Sequence, residues 1–380
     1  MIFCDPLFWG PILILSLQKL AHMSLAQIYT LEAVCVIFGL IVDIPTGAMS
    51  DIVGRKKMLV IAQILFFTSF FGFVFLEKPW HAWAANLLWM IALALKSGTD
   101  RALIQETCIV LGKEDGYYRK FIGRNLGYRL LIAAICSPIT SWLAASNLRL
   151  PLYCSLPFLI IPLICTFFFC EPPRQKRELT LKENLNQMGR GIKDVLNDSR
   201  IIWITMYTCV ISAVSHMWFF TYNPYCEKVG MQISDFGWVF FALNLVAFVS
   251  SYFGERVEKK LGYFGTMLIL MPMIGIPLIF MGAFPMPIMA YCVVFQNVVR
   301  GMYGPFIDNL TSKFLRDETR ATVLSVQSSI VSSVGALSMW VFGLAIENHG
   351  LMNSLVALGL VTIFAFIVLI SLWFKLFEKK

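Results

Sequence analysis

Several ionisable side chains sit inside long apolar runs of this 380-residue chain, where a charge is costly and therefore a candidate for function. Asp5, Glu32, Asp43 and Asp100 are carboxylates in such runs. A buried carboxyl whose pKa rises towards neutrality carries a proton on and off, so these four are proton-carrier candidates. Glu32 and Asp43 are close to three helical turns apart, which puts them on one face about 16 Å from each other. Lys96 and Asp100 stand at i,i+4 and can pair on one helix, with Arg101 pointing about 100° away. The plainer alternative for Asp100 is a static pair with Lys96 or Arg101. Arg129 and Arg300 can bind an anionic group of a ligand, or serve as counter-ions to the carboxylates. Asp308 lies further along the Arg300 segment.

A second cluster is the stretch Asp43 to Lys57, DIPTGAMSDIVGRKK. Gly47 and Gly54 allow a tight turn and close helix contact. Asp51 is an acid at the end of one apolar run, and Arg55, Lys56 and Lys57 open the next. Arg55 needs an acidic partner, and Glu106 is placed to supply it. The alternative is that the three cations only follow the positive-inside bias.

The elements holding these residues are membrane helices. The chain is 58% hydrophobic and 14% charged, with a mean hydropathy of +0.72. A soluble domain is about half apolar and a quarter charged. The apolar runs are about 20 residues long and do not alternate, so they read as spanning helices rather than barrel strands. Twelve spans are expected near residues 2–18, 27–49, 58–76, 82–110, 122–146, 151–170, 201–222, 235–254, 263–283, 286–314, 321–346 and 351–375. The first is short and carries Asp5, so either the helix is short or its natural start lies upstream. The longest connection, 171–200, separates six spans from six. Leu181, Leu185, Met188, Ile192 and Val195 recur there at helical spacing, which predicts a surface helix.

Basic residues give the orientation. On the side of the 43–57 turn lie 23 of the 31 lysines and arginines, against four on the other side, which predicts cytoplasmic termini. The net charge of +8 is this bias, not a nucleic-acid footprint. The ten cysteines are scattered, without C-x-x-C or metal spacing. No metal site and no cofactor is expected, and no Gly-Lys-Ser/Thr phosphate loop is present.

The spacing G-x-x-x-D-x-x-G-R-[KR], from Gly47 through Asp51 and Gly54 to Arg55 and Lys56, resembles the loop between helices 2 and 3 of major facilitator superfamily transporters. Gly254 to Gly262, GERVEKKLG, is a degraded echo in the second half. Ala133-x-x-x-Ser137-Pro138-x-x-Ser141 is similar to the family's antiporter motif, with small residues for its glycines and the kink at Pro138 kept. Arg320 to Ser325, Pro305 to Asp308 and Ser97 to Asp100 look like bacterial members close to drug efflux proteins. The resemblance implies an all-α membrane fold in two six-helix pseudo-symmetric bundles, 1–170 and 201–380, joined by a cytoplasmic linker. It implies a latch at the cytoplasmic face formed by Gly47, Asp51, Gly54, Arg55, Lys56 and Glu106, and substrate binding between the bundles. It also places an acid before Pro-Thr-Gly, where Asp43 stands.

The expected activity is secondary transport in the bacterial inner membrane, without enzymatic chemistry. Proton-coupled export of small amphipathic compounds leads. Uptake of a nutrient, metabolite or siderophore-like compound is the alternative, and a receptor or lipid-handling protein without proton coupling is the second class. Arg129, Arg300, Trp218, Phe219, Tyr222 and Asn244 are the cavity candidates; for the aromatics, helix packing is the plainer alternative. The expected partners are a small-molecule substrate, protons and the lipid bilayer, with the chain a monomer.

Overall fold

The computed structural model describes residues 6–113, 115–171, 189, 192–193, 195–315 and 317–377. Asp5 and most of the expected surface helix lie outside them. The helices are α1 (Leu13–Lys19), α2 (Leu25–Val53), α3 (Arg55–Val74), α4 (Pro79–Lys96), α5 (Thr99–Val110), α6 (Asp115–Ser146) and α7 (Leu150–Phe167). After the linker come α8 (Ser199–Lys228), α9 (Ile233–Leu270), α10 (Pro272–Ala283), α11 (Val293–Ser312), α12 (Asp317–His349) and α13 (Leu351–Phe377). Prolines stand at the first turns of α4, α7 and α10, where a missing N–H costs nothing.

Eight stretches among the described residues are long and apolar enough to cross a membrane. One, Ile233–Ala283, has 51 residues and is too long for a single pass. Non-helical backbone at Gly262 (φ 70°, ψ 178°) divides it, so it supplies the expected eighth and ninth spans. The remaining expected spans, the first, fourth and tenth, are interrupted. Over its described residues, from 6 on, the first is not one continuous helix. It is a short 3-10 turn at Gly10–Ile12 and then the seven-residue α1, about 10 Å of helix. Pro6 and Pro11 deny the segment the backbone donors a longer helix requires. The fourth breaks at Ser97–Gly98, where Gly98 has φ 72°. The tenth begins as a 3-10 turn, Pro287–Cys292, before α11.

The residues group into two compact units. The first holds residues 1–24, 34–183 and 233–241; the second holds 25–33, 184–232 and 242–380. Thus α2 and α9 each contribute to both. In the first unit α3 packs on α4 and α7. There Trp9 sits among Phe70, Phe73 and Trp89, with ring centroids 5.4, 4.7 and 5.5 Å away. In the second, α10 packs on α13, and α8 packs on α12 and α13. Trp203 is buried there, and its indole N–H donates to Leu369 O at 2.8 Å.

Candidate functional site

The 43–57 turn is built by a helix that ends and another that starts around one glycine. α2 stops at Val53, and Gly54, at φ 106° and ψ 136°, turns the chain into α3. That φ lies in the region which favours glycine. Arg55, the first residue of α3, forms an ion pair through Nη1 with Glu106 Oε2 near the end of α5. The pair expected from sequence is therefore present, and it is half-buried, with side-chain exposures of 14% and 28%. A residue the sequence did not single out completes the cluster. Glu171 accepts the Arg55 backbone N–H at 2.9 Å, so a carboxylate occupies the positive end of α3. Its signal was only an acid at the mouth of the linker. Gly47 and Asp51 lie in the last turns of α2, and their side chains are outside the described set. Lys56 is half-buried beside Arg55.

The second half repeats the backbone device. Gly262 turns α9, and Tyr263 follows it as Arg55 follows Gly54. The partner differs. Lys313, just past the end of α11, places its Nζ 3.7 Å from the centre of the Tyr263 ring, a cation–π contact.

Asp43 lies on α2, two residues before Pro45. Its carboxylate takes a hydrogen bond from the Ser97 side chain. Ser97 is the residue at which the fourth span breaks, so Asp43 meets an interrupted helix. The break also undoes the expected Lys96–Asp100 pairing. The two residues end one helix and begin another, and are not i,i+4 neighbours on either. Lys96 Nζ lies 5.6 Å from the Phe66 ring centre, and the Asp100 carboxylate accepts the Arg101 backbone N–H at 2.7 Å. Glu32 is half-buried on α2, and Arg129 is half-buried on α6.

Pro138 lies inside α6, and the Ser137 hydroxyl donates to Ala133 O. In the same unit Gly237 of α9 rests on this point. A Cβ there would come within 2.7 Å of Pro138 Cα. The small residues expected at this motif therefore receive another helix.

In the second unit the expected cavity residues separate. Trp218, Tyr222 and Asn244 are buried, at 0%, 2% and 4% exposure. Phe219 is half-buried, and Arg300 on α11 is exposed with its guanidinium 6.0 Å from the Phe219 ring centre. Next to them is a polar chain that sequence reasoning missed. Gln296 Nε2 donates to Ser215 O at 3.3 Å, and Asn297 Nδ2 donates to Gln296 Oε1 at 2.7 Å. Gln296 stands one turn before Arg300, an amide–cation spacing that was legible in FQNVVR. His216, exposed on α8, lies next to Ser215, with Nδ1 3.0 Å from Ser212 O. Among the described residues no group of three metal-ligating side chains is assembled.

A bundle of apolar helices, paired glycine turns and ionisable groups at broken helices define the class: a multi-pass transporter. The model of the Major Facilitator Superfamily matches residues 3–339, and the chain belongs to that family. It is 22% identical over 357 residues to an uncharacterized MFS-type transporter, YxaM, of Bacillus subtilis (strain 168), covering 90% of this chain and 86% of that one. Its fold is similar to the crystal structure of nucleoside transporter NupG (TM-score 0.76, 13% identity, 98% and 97% covered). It is also similar to that of a D-xylose-proton symporter (TM-score 0.71, 16% identity, 96% and 94% covered). The protein is an integral membrane secondary transporter that takes a small-molecule substrate.

Proposed function

We propose that this transporter carries a small organic solute with an acidic or hydrogen-bonding group, coupled to protons. The observation that supports the solute class is Arg300. It is a cation inside a spanning helix, exposed, set over the half-buried Phe219 and one turn from the Gln296–Asn297 amides. A charge at that depth is tolerated where it faces a polar path. The Arg300 guanidinium favours an anionic or acceptor group over a lipophilic cation, while Phe219 offers a face to an apolar body. Burial of Trp218 and Tyr222 removes two aromatic walls from the expected export of small amphipathic compounds. Asp43 is the proton carrier in this reading, because its carboxylate meets the broken fourth span. Arg55, Glu106, Asp51 and the two glycines form the latch of the motif turn. The two bundles, 1–170 and 201–380, alternate access about the 171–200 linker, with both termini cytoplasmic.

A thermal-shift panel tests the solute class. Small aromatic and aliphatic carboxylates should stabilise the wild type and lose that effect in Arg300→Gln. Equal stabilisation of both proteins by tetraphenylphosphonium, with none from carboxylates, would reverse the assignment. Proton uptake into proteoliposomes tests coupling: Asp43→Asn should abolish uptake driven by the stabilising compound while leaving its thermal shift in place.

A further inference from the structure

The middle of α8 meets α11 through side-chain amides. Gln296 Nε2 donates to Ser215 O at 3.3 Å. Asn297 Nδ2 donates to Gln296 Oε1 at 2.7 Å and to Val293 O at 3.2 Å. These bonds fix which way the Asn297 amide faces, because turning it over would set its oxygen against two acceptors. Its Oδ1 is therefore turned away from both, and it meets no hydrogen-bond partner among the described residues. Two atoms of α8 share that condition, Ser215 Oγ and Trp218 Nε1. All three side chains are buried: Asn297 is 2% exposed, Ser215 8% and Trp218 0%.

Ser215 and Trp218 stand at i,i+3 and so share a face of α8, and Ser215 is the residue whose carbonyl Gln296 holds. Their neighbours on the helix are satisfied by protein. The hydroxyls of Thr205, Thr208 and Thr221 donate to carbonyls four residues back, a route Ser215 leaves unused. Trp203, the other buried tryptophan of α8, gives its N–H to Leu369 O. Inside a spanning helix bulk water supplies no partner, and an unpaired polar group is costly. The three atoms are one donor, one acceptor and one hydroxyl that can be either. A water molecule fits that set: it accepts from Trp218 Nε1, donates to Asn297 Oδ1, and bonds Ser215 Oγ. Buried waters make about three such bonds. The set carries no charge, which disfavours an ion, and its burial disfavours a solute.

We propose that the contact between α8 and α11 holds a sequestered water molecule, bound by Trp218 Nε1, Asn297 Oδ1 and Ser215 Oγ, one turn before Arg300. The test is X-ray hydroxyl-radical footprinting of the full chain in lipid nanodiscs, read by mass spectrometry. Radicals made from a bound water mark the side chains beside it, even where bulk radicals do not reach. Met217 and Trp218 should be labelled, while Trp203, buried but bonded to protein, should stay unlabelled. A neutral hydrogen bond is worth about 3- to 10-fold in an equilibrium. Ser215→Ala should cut the label at Met217 and Trp218 by about that factor, and Trp218→Phe should do the same at Met217. Label at Met217 and Trp218 no higher than at Trp203 would overturn the site. Label that persists unchanged in both Ser215→Ala and Trp218→Phe would also overturn it, because the radicals would then come from an open cavity.

Discussion

The two glycine turns, at Gly54 and Gly262, use the same backbone and different wiring. Both glycines hold positive φ, 106° and 70°, and each launches a helix. After the first comes Arg55, which pairs with Glu106 and has its N–H capped by Glu171. After the second comes Tyr263, which receives Lys313 on its ring. The polarity is inverted: the first turn presents the cation and its neighbour the acid, while the second presents a π face and its neighbour the cation. Among the described residues the ion pair inside the echo itself is local, Lys259 to Glu255 at 2.6 Å, with exposures of 75% and 72%. A glycine at positive φ turns the chain in both. Among the described residues the half-buried, interhelical charge contact lies at the first turn.

The largest effects should come from the shared part. Gly54→Ala and Gly262→Ala each force a side chain into a disfavoured region, at about 1–3 kcal/mol. Nothing lies within 4 Å of a Cβ at Gly262, so the cost there is backbone strain alone. Thermal unfolding of both variants should show similar losses. A loss at Gly54 only would mean that the echo is not the same device.

The wiring comes next. Arg55→Ala strands Glu106 half-buried and should cost about 1 kcal/mol, the partial exposure of the pair placing it below a buried one. A cycle with Glu106→Ala should return a coupling near 1 kcal/mol. Zero coupling would reduce Arg55 to a positive-inside charge. Lys313→Ala removes a cation–π contact and should cost about 0.5–1 kcal/mol. Lys313→Met, which keeps the alkyl stem, should recover only part of it.

Much of this was legible in the sequence, for identifiable reasons. The Gly54–Arg55 turn and its partner Glu106 follow from one motif, because a partly buried guanidinium demands an acid. Gly262 was legible as the motif's echo. Lys313 was not, since a cation–π partner some fifty residues away leaves no spacing signal. The break at Ser97–Gly98 was hidden because one glycine barely lowers the hydropathy of a window; φ, not composition, reveals it. With the break went the Lys96–Asp100 pair. The short α1 was half legible: its prolines were in view, but the apolar run around them read as a span.

The smallest effects should come from pairs confined to one segment, and they give the comparison its control. Asp198 caps α8, accepting the Arg200 N–H at 2.8 Å and its guanidinium at 2.7 and 3.0 Å. The side-chain bond to Arg200 holds its carboxyl below the usual carboxylate range. A lowered folded-state pKa gives stability that is present above the unfolded value near 4 and is lost as pH falls through the folded one. Asp198→Asn keeps the cap but not the charge, so its deficit should be a few tenths of a kcal/mol at pH 7 and vanish towards pH 3. Glu255→Gln, at a fully solvated pair, should change nothing measurable at any pH. If Glu255→Gln instead weakened the protein as Arg55→Ala does, the echo would carry an interhelical charge contact after all, and the asymmetry between the turns would fall.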